Sequence, residues 1–373
     1  MRSSIISVWF VLLSATACMS KLNEIERSLW DAVRNDDVNL VKPLLENGTD
    51  AKTGNSDGLT LLMYLSKSSG RLNNRKQILE LVLPVSDPIA ADNKGNTALM
   101  YAAREGNHTI VEILLPVSDP KASNNDGTTA LIFAVWSGNE KIVDLLIPVS
   151  DANAADDDGA IALMYAARGE NEQIIQLLIP VSNVNTTDKN GETALFHAAY
   201  FSKNEKTIEL LLPVSDTNVR NKFGMTALMS AIWAEKEQMA EILIPVSDAN
   251  TTDTGRRETA LFYAVNKGNK NLVERLLPVT DVNAKNKYGK TVLMVAVEHY
   301  NVLYGHHTQK SMVELLLPIS DTKATDNRGF TALILAAKKG FKAMVDLLLP
   351  VSDVDAVNNM GKTALFAALS VQS

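Results

Sequence analysis

The string Pro-Val-Ser-Asp, or a close variant, begins at Pro84, Pro116, Pro148, Pro180, Pro213, Pro245, Pro278, Pro318 and Pro350. Successive copies lie 32, 32, 32, 33, 32, 33, 40 and 32 residues apart. A period this regular means one supersecondary unit copied many times, each copy burying its apolar face against its neighbours. Such a chain grows as a stack and does not close one core. Its 373 residues therefore do not imply two or three globular domains.

Each unit reads as turn, helix, turn, helix. Asn, Asp and Gly cluster first, as in Asp92-Asn93-Lys94-Gly95 and Asp188-Lys189-Asn190-Gly191, where Gly permits the positive φ of a tight turn. Thr-Ala-Leu follows, at Thr97, Thr129, Thr193, Thr226, Thr331 and Thr363. The Thr suits a helix N-cap, its hydroxyl accepting from a backbone N–H of the first turn. Ala98 to Ala103 predicts a short helix whose alanines allow close approach, ended at Gly106. Ile110, Val111, Ile113, Leu114 and Leu115 predict a second helix with a wide apolar stripe. Pro116 is expected to halt it, because a proline drives the preceding residue out of the α region.

Helix pairs of about 33 residues resemble the ankyrin repeat, and the resemblance runs from about residue 22 to the end. Trp30-Asp31-Ala32-Val33 leading to Leu44-Leu45-Glu46-Asn47-Gly48 is nearest the usual pattern. Elsewhere Thr-Ala-Leu-Met or Thr-Ala-Leu-Phe stands where the family has Thr-Pro-Leu-His, so the His-centred network between repeats is expected to be absent. The fold class implied is all-α, an ankyrin-repeat solenoid of paired antiparallel helices with hairpin-like connecting turns. Residues 22–373 give ten helix pairs and a final half-unit from Thr363, which leaves an apolar edge. The first pair carries polar residues, Lys21, Glu24, Glu26 and Arg27, as an end cap would. Extra residues at Ser68–Arg75 and Tyr300–Thr308 fall between paired helices and are expected to be surface loops.

The N-terminus differs from the rest. Arg2, the apolar run Ile5 to Leu13 and the small residues Ser14 to Ala17 form the tripartite pattern of a secretory signal over residues 1–18. Cys18, the only cysteine, follows Ala17 and resembles a degenerate bacterial lipobox, with Ala15 and Thr16 where the family prefers Leu and a small residue. The implied location is outside the cytoplasm, secreted, periplasmic or lipid-anchored through Cys18. Translation from Met19 would give a cytoplasmic adaptor instead.

Nothing in the chain suggests catalysis. No Walker or dinucleotide loop is present, and the recurrent glycines belong to the repeat. A Cys nucleophile is excluded by the place of Cys18. Five histidines exist, of which His299, His306 and His307 cluster, without the ligand spacing of a zinc site. The run Asp156-Asp157-Asp158 lacks the spacing of a calcium loop. No cofactor and no metal are expected. The net charge of −7 argues against the phosphate backbone as partner.

The resemblance implies a protein partner, held on a concave face of turn tips and exposed ends of first helices. The position after each first-helix Ala-Ala, Ala-Val or Ala-Ile pair then carries Arg104, Trp136, Arg168, Tyr200, Trp233, Asn266, Glu298 and Lys338. Phe201 sits beside Tyr200, and the turn tips add Phe223, Met225, Tyr288 and Phe330. Trp136, Arg168, Tyr200, Phe201, Phe223 and Trp233 are the candidate contact residues of a monomeric, non-enzymatic scaffold, since aromatics and Arg dominate binding energy. The alternatives are rings that only seal one repeat on the next, in an exported structural or adaptor protein with no discrete partner.

Overall fold

In the computed structural model the described residues are 23–67, 72–299 and 306–369. Residues 1–18, expected to form an export signal, and with them Cys18, lie outside the described residues. The chain divides into two compact units, meeting at Lys189 and Asn190. Among the described residues there are helices and isolated bridges but no strand.

The first unit holds α1 (Glu24–Arg34), α2 (Val38–Glu46), α3 (Leu61–Ser66), α4 (Leu72–Val82), α5 (Ala98–Arg104), α6 (His108–Leu114), α7 (Ala130–Ser137), α8 (Glu140–Leu146), α9 (Ala162–Gly169) and α10 (Glu172–Leu178). The second holds α11 (Ala194–Phe201), α12 (Glu205–Leu211), α13 (Ala227–Trp233), α14 (Glu237–Leu243), α15 (Ala260–Asn266), α16 (Lys270–Leu276), α17 (Val292–Glu298), α18 (His306–Leu316), α19 (Ala332–Lys339), α20 (Lys342–Leu348) and α21 (Ala364–Leu369). Odd-numbered helices are the first of each pair and even-numbered ones the second. Within each unit, every first helix packs on its own second helix and on the next first helix. The fold is all-α, and each unit is a solenoid stack. None of the described helices is long and apolar enough to cross a membrane.

The predicted caps form. Thr97, Thr129, Thr193, Thr226 and Thr331 each accept a hydrogen bond from the third backbone N–H of their helix. The alanines of the first helices are nearly inaccessible, and Leu99, Leu131, Leu195, Leu228 and Leu261 are buried. Small residues let neighbouring first helices approach, while the larger side chains fill the space toward the second helices.

The turns are held by two devices. In most turns the opening Asx side chain accepts from N–H groups two and four residues on: Asp92 Oδ1 from Lys94 and Asn96 at 2.8 Å each, Asn221 Oδ1 from Phe223 and Met225 at 3.0 Å each, whereas Asp253 Oδ1 accepts from Arg256 and Arg257. One backbone hydrogen bond then ties each tip to the next, as from Asn125 N–H to Lys94 C=O at 2.9 Å and from Lys287 N–H to Arg256 C=O at 2.8 Å. The tip backbone is thus fixed while its side chains are left to vary.

Three expectations need correcting. The prolines do not halt the second helices. Leu115, before Pro116, keeps helical angles (φ −54°, ψ −42°), and the chain tightens into a 3₁₀ turn over Leu115–Val117 before extending at Ser118. Pro near the start of that turn gives up an N–H that the tightened turn does not need, and its fixed φ suits the geometry. The insertions are not wholly loops either. α4 and α18 each run for 11 residues where most second helices have 7, so part of each insertion is an added helical turn. In α4 that turn is anchored by Arg75 Nε on Asp36 Oδ1 at 3.1 Å and Asn74 Nδ2 on Asp36 C=O at 3.2 Å.

The third correction concerns Phe330. It is 3% exposed and so belongs to the core, not to the groove. Its backbone N–H donates to Asp326, and Lys338 Nζ lies 4.6 Å from the ring centroid, closing it off.

The two ends of the array differ. Asn23 and Glu26 form a reciprocal capping box at 2.9 Å each way, and Glu24 and Arg27 are exposed beside an exposed Ile25. At the other end Leu365, Phe366 and Leu369 of α21 are exposed, and a hollow of about 520 Å³ opens between α20 and α21.

Candidate partner-binding face

Trp136 closes the last turn of α7, where Gly138 (φ +69°) turns the chain away. With Ala134 and Val135 facing inward, the next side chain must face out, and the indole is 50% exposed. It is not free-standing. It meets Phe133 and Tyr165 edge-on at 5.2 Å each, and Tyr165 belongs to the next repeat. The Tyr165 hydroxyl donates to Asp156, and the Arg168 guanidinium lies 5.9 Å from the same ring. Trp136 and Arg168 are therefore brought together around Tyr165.

The second unit repeats the arrangement. Trp233 is 52% exposed and stands edge-on to Tyr263 of the next repeat at 6.1 Å. Tyr263 donates to Asp253 Oδ2 at 3.1 Å. Lys267 Nζ lies 4.6 Å from the Trp233 ring and is paired with Glu235 at 2.9 Å. Near the start of the first unit Lys67 takes the tryptophan's place, 5.7 Å from Tyr101, whose hydroxyl donates to Asp92 Oδ2 at 2.6 Å.

These tyrosines were not read as part of the face, although the sequence carries a signal for them. An Asp at the turn and a Tyr nine or ten residues later occur together in these three repeats; turns opened by Asn124, Asn221 and Asn286 are followed at that place by Phe133, Ser230 and Val295, and those with Asp188 and Asp326 by His197 and Leu335. Burial, then the charge of and hydrogen bond to its Asp, pushes each phenol well above the ordinary tyrosine value. The three remain neutral donors. They supply a link from helix to turn in an array that lacks the family's His.

The other candidates fall in two places. Tyr200 and Phe201 are both partly exposed at the end of α11 and touch edge-on at 4.8 Å, and Phe201 stacks on His197 at 5.9 Å. Phe223 stands apart at a turn tip, 56% exposed, with Lys222 Nζ 5.3 Å from its centroid. Among the described residues no ring contact joins Phe223 to Trp233. The face also has hollows between tips and first helices. One of about 440 Å³ is lined by Lys67, Lys94, Tyr101 and Arg104 among others, and one of about 410 Å³ by Tyr288, Lys290, Glu298 and Lys338 among others.

Of the clustered histidines, His299 is partly buried at the end of α17, and the side chains of His306 and His307 lie outside the described residues. Burial pushes the His299 imidazole below its ordinary value.

Buried Glu258 lies at the floor of the face. Its oxygens accept from Asn286 and Asn266 at 3.2 Å each, and burial raises its carboxyl above the ordinary value of 4.5. A raised carboxyl favours the fold in its protonated form, so that contribution is complete below the unfolded value and is lost as pH rises through the folded one. Glu258→Gln should therefore gain stability relative to the parent as pH climbs from about 4 to 7. Thermal melts across that range check it. A pH-independent difference would contradict it.

A stack of paired short helices joined by tight turns, one pair per repeat, is a repeat solenoid. The family model for ankyrin repeats matches residues 29–122, 71–156, 116–188, 163–253, 234–307 and 302–373, and the chain belongs to that family. No curated protein matches the chain. Ankyrin repeats are generally scaffolds for protein–protein interaction and are typically non-enzymatic.

Proposed function

We propose that this chain is a non-enzymatic, monomeric scaffold that holds a protein partner on the face formed by turn tips and first-helix ends. Trp136 and Arg168 are the contacts in the first unit, and Tyr200, Phe201, Phe223 and Trp233 those in the second. One observation carries the reading. The aromatic rings at the ends of α7, α11 and α13 are partly exposed, while the other apolar side chains of those helices are buried. An aromatic that keeps half its surface in water while held against a neighbour is a pre-positioned anchor, with little rotamer freedom left to lose on binding.

Sealing the stack is part of what these rings do, since Trp136 and Trp233 each touch the next repeat's Tyr. Edge-to-face pairs contribute about 0.5–1.5 kcal/mol each, which leaves the exposed half unexplained. The test is Trp136→Ala with Trp233→Ala, comparing affinity for a partner recovered by capture with the melting temperature. The expected result is a loss of affinity of about a hundredfold, as hot-spot aromatics give, with only a modest fall in stability. Unchanged capture with a large drop in melting temperature would make the rings structural.

The proposed location is outside the cytoplasm, with residues 1–18 acting as an export signal and Cys18 as an acyl acceptor. The intact mass of the native N-terminus tests it: an acylated Cys18 supports anchoring, and an unmodified start at Met19 or Ser20 contradicts it.

A further inference from the structure

The inter-repeat ladder defines which side chains the tips present. Its acceptor carbonyls belong to Asp57, Lys94, Asp126 and Asp158 in the first unit, and to Asn190, Phe223, Arg256, Tyr288 and Arg328 in the second. The donors are Asn93, Asn125, Asp157 and Lys189, then Lys222, Thr254, Lys287, Asn327 and Asn359. The first unit's row therefore mixes four carboxylates with two cations. The second unit's row has Lys222, Arg256, Lys287 and Arg328 and no carboxylate, and Arg257 adds a fifth cation beside Arg256.

This row is unusual in a chain of net charge −7. The second helices of the same unit each carry at least one acid, Glu205 and Glu209, Glu237 and Glu241, Glu274, Glu314 and Asp346 in turn. None of the five tip cations takes part in an ion pair among the described residues. Two are held along the row itself. Lys222 Nζ donates to the Asn190 side chain and Lys287 Nζ to Gly255 C=O at 3.1 Å, each reaching back to the previous tip. Phe223 and Tyr288 stand next to them on the same two tips, 56% and 48% exposed.

We infer that the tips of the second unit bind an extended acidic segment of a partner protein, with carboxylates at every third residue. The inference rests on the scaffold function proposed above and names the chemistry of the partner. The spacing follows from geometry. Stacked helices sit about 8–10 Å apart, so the tips recur at about that distance. A polyproline II segment rises about 3.1 Å per residue with three residues per turn, which returns every third side chain to one face after about 9 Å. Carboxylates at i, i+3 and i+6 then meet successive cations.

A nucleic acid is the rival polyanion, and two observations disfavour it. Lys222 lies 5.3 Å from the Phe223 centroid and Lys287 5.7 Å from that of Tyr288, so each cation covers part of the ring surface that a stacked base would use. The acidic second helices would also repel a long polyanion, whereas a short segment meets only the row.

The experiment titrates the full chain with a fluorescent peptide of about fifteen residues, Glu-Pro-Pro repeated, long enough for five tips. A peptide of the same composition with its glutamates grouped at one end is the control, and oligo-dT of similar length is the nucleic-acid arm. Arg256→Glu with Lys287→Glu reverses the row at exposed positions, and a melting curve matching the parent's is the control that it folds. The expected result is saturable binding of the spaced peptide, about tenfold weaker for the grouped one and at least about tenfold weaker for the reversed variant. Equal binding of both peptides, no binding, indifference to charge reversal, or tighter binding of oligo-dT would each overturn the inference. Failure here leaves the scaffold proposal standing, because that is read from the two Trp variants with the natural partner.

Discussion

Gly127→Ala is expected to destabilise the first unit by about 2–4 kcal/mol, among the largest effects of any single-methyl change in the chain. Gly127 has φ +74°, and a Cβ there would come within 2.8 Å of Asp156 Cα and Asp157 N. Both atoms are backbone, held in place because Asp157 N–H donates to Asp126 C=O at 2.9 Å. The added methyl therefore strains its own residue and pushes apart the ladder bond that registers one repeat on the next. Gly138 is the internal control. It also has positive φ, at +69°, but nothing lies within 4 Å of its Cβ position. Gly138→Ala should show only the left-handed cost, about 1–2 kcal/mol. Chemical denaturation of the two variants checks this, and equal losses would show that the tips do not approach as closely as described.

Leu99→Ala is the second, with an expected loss of about 2–5 kcal/mol. Leu99 is fully buried within the stack, with Met100 and Ala103 of its own helix buried beside it. In a stack each layer contacts only its neighbours, so a cavity in one repeat weakens two interfaces. Leu365→Ala makes the contrast, since Leu365 is exposed at the apolar end of the array. Its loss should be within about 0.5 kcal/mol. If the two leucines cost the same, the assignment of core and edge is wrong.

Much of the fold was legible because the repeat prints its own key. Thr at the start of the first helices and Gly in the turns each have one physical use, and recurrence removed the ambiguity of any single copy. What was misread came from applying a local rule without its context. Pro116 was expected to expel Leu115 from the α region, yet a 3₁₀ turn accommodates both. Phe330 looked like a groove residue by its place at a turn, but Phe330 side-chain direction depends on which wall the neighbouring repeat offers. Glu170 occupies the left-handed position that Gly138 fills one repeat earlier, while Gly169 sits inside the helix. That exchange shows only when repeats are aligned residue by residue.

The candidate face was legible in part. The exposed positions of Trp136, Arg168, Tyr200 and Trp233 follow from helical phase once Ala-Ala is known to face inward. The tyrosines that hold the tryptophans, and the cations of the second unit's tips, were not foreseen. Tyr165 and Tyr263 lie within the first helices, where the sequence does not mark them off from core positions, and the tip cations are diluted in an acidic composition. Only the ladder shows that Lys222, Arg256, Lys287 and Arg328 fall in one row.

The central claim is that the half-exposed indoles are a contact surface, and acrylamide quenching of tryptophan fluorescence tests it most directly. Trp30 is buried, so quenching of residues 23–369 reports on Trp136 and Trp233. Saturating partner is predicted to protect both indoles, read one at a time as Trp136 in the Trp233→Phe variant and Trp233 in the Trp136→Phe variant. Quenching that is identical with and without bound partner would contradict the claim.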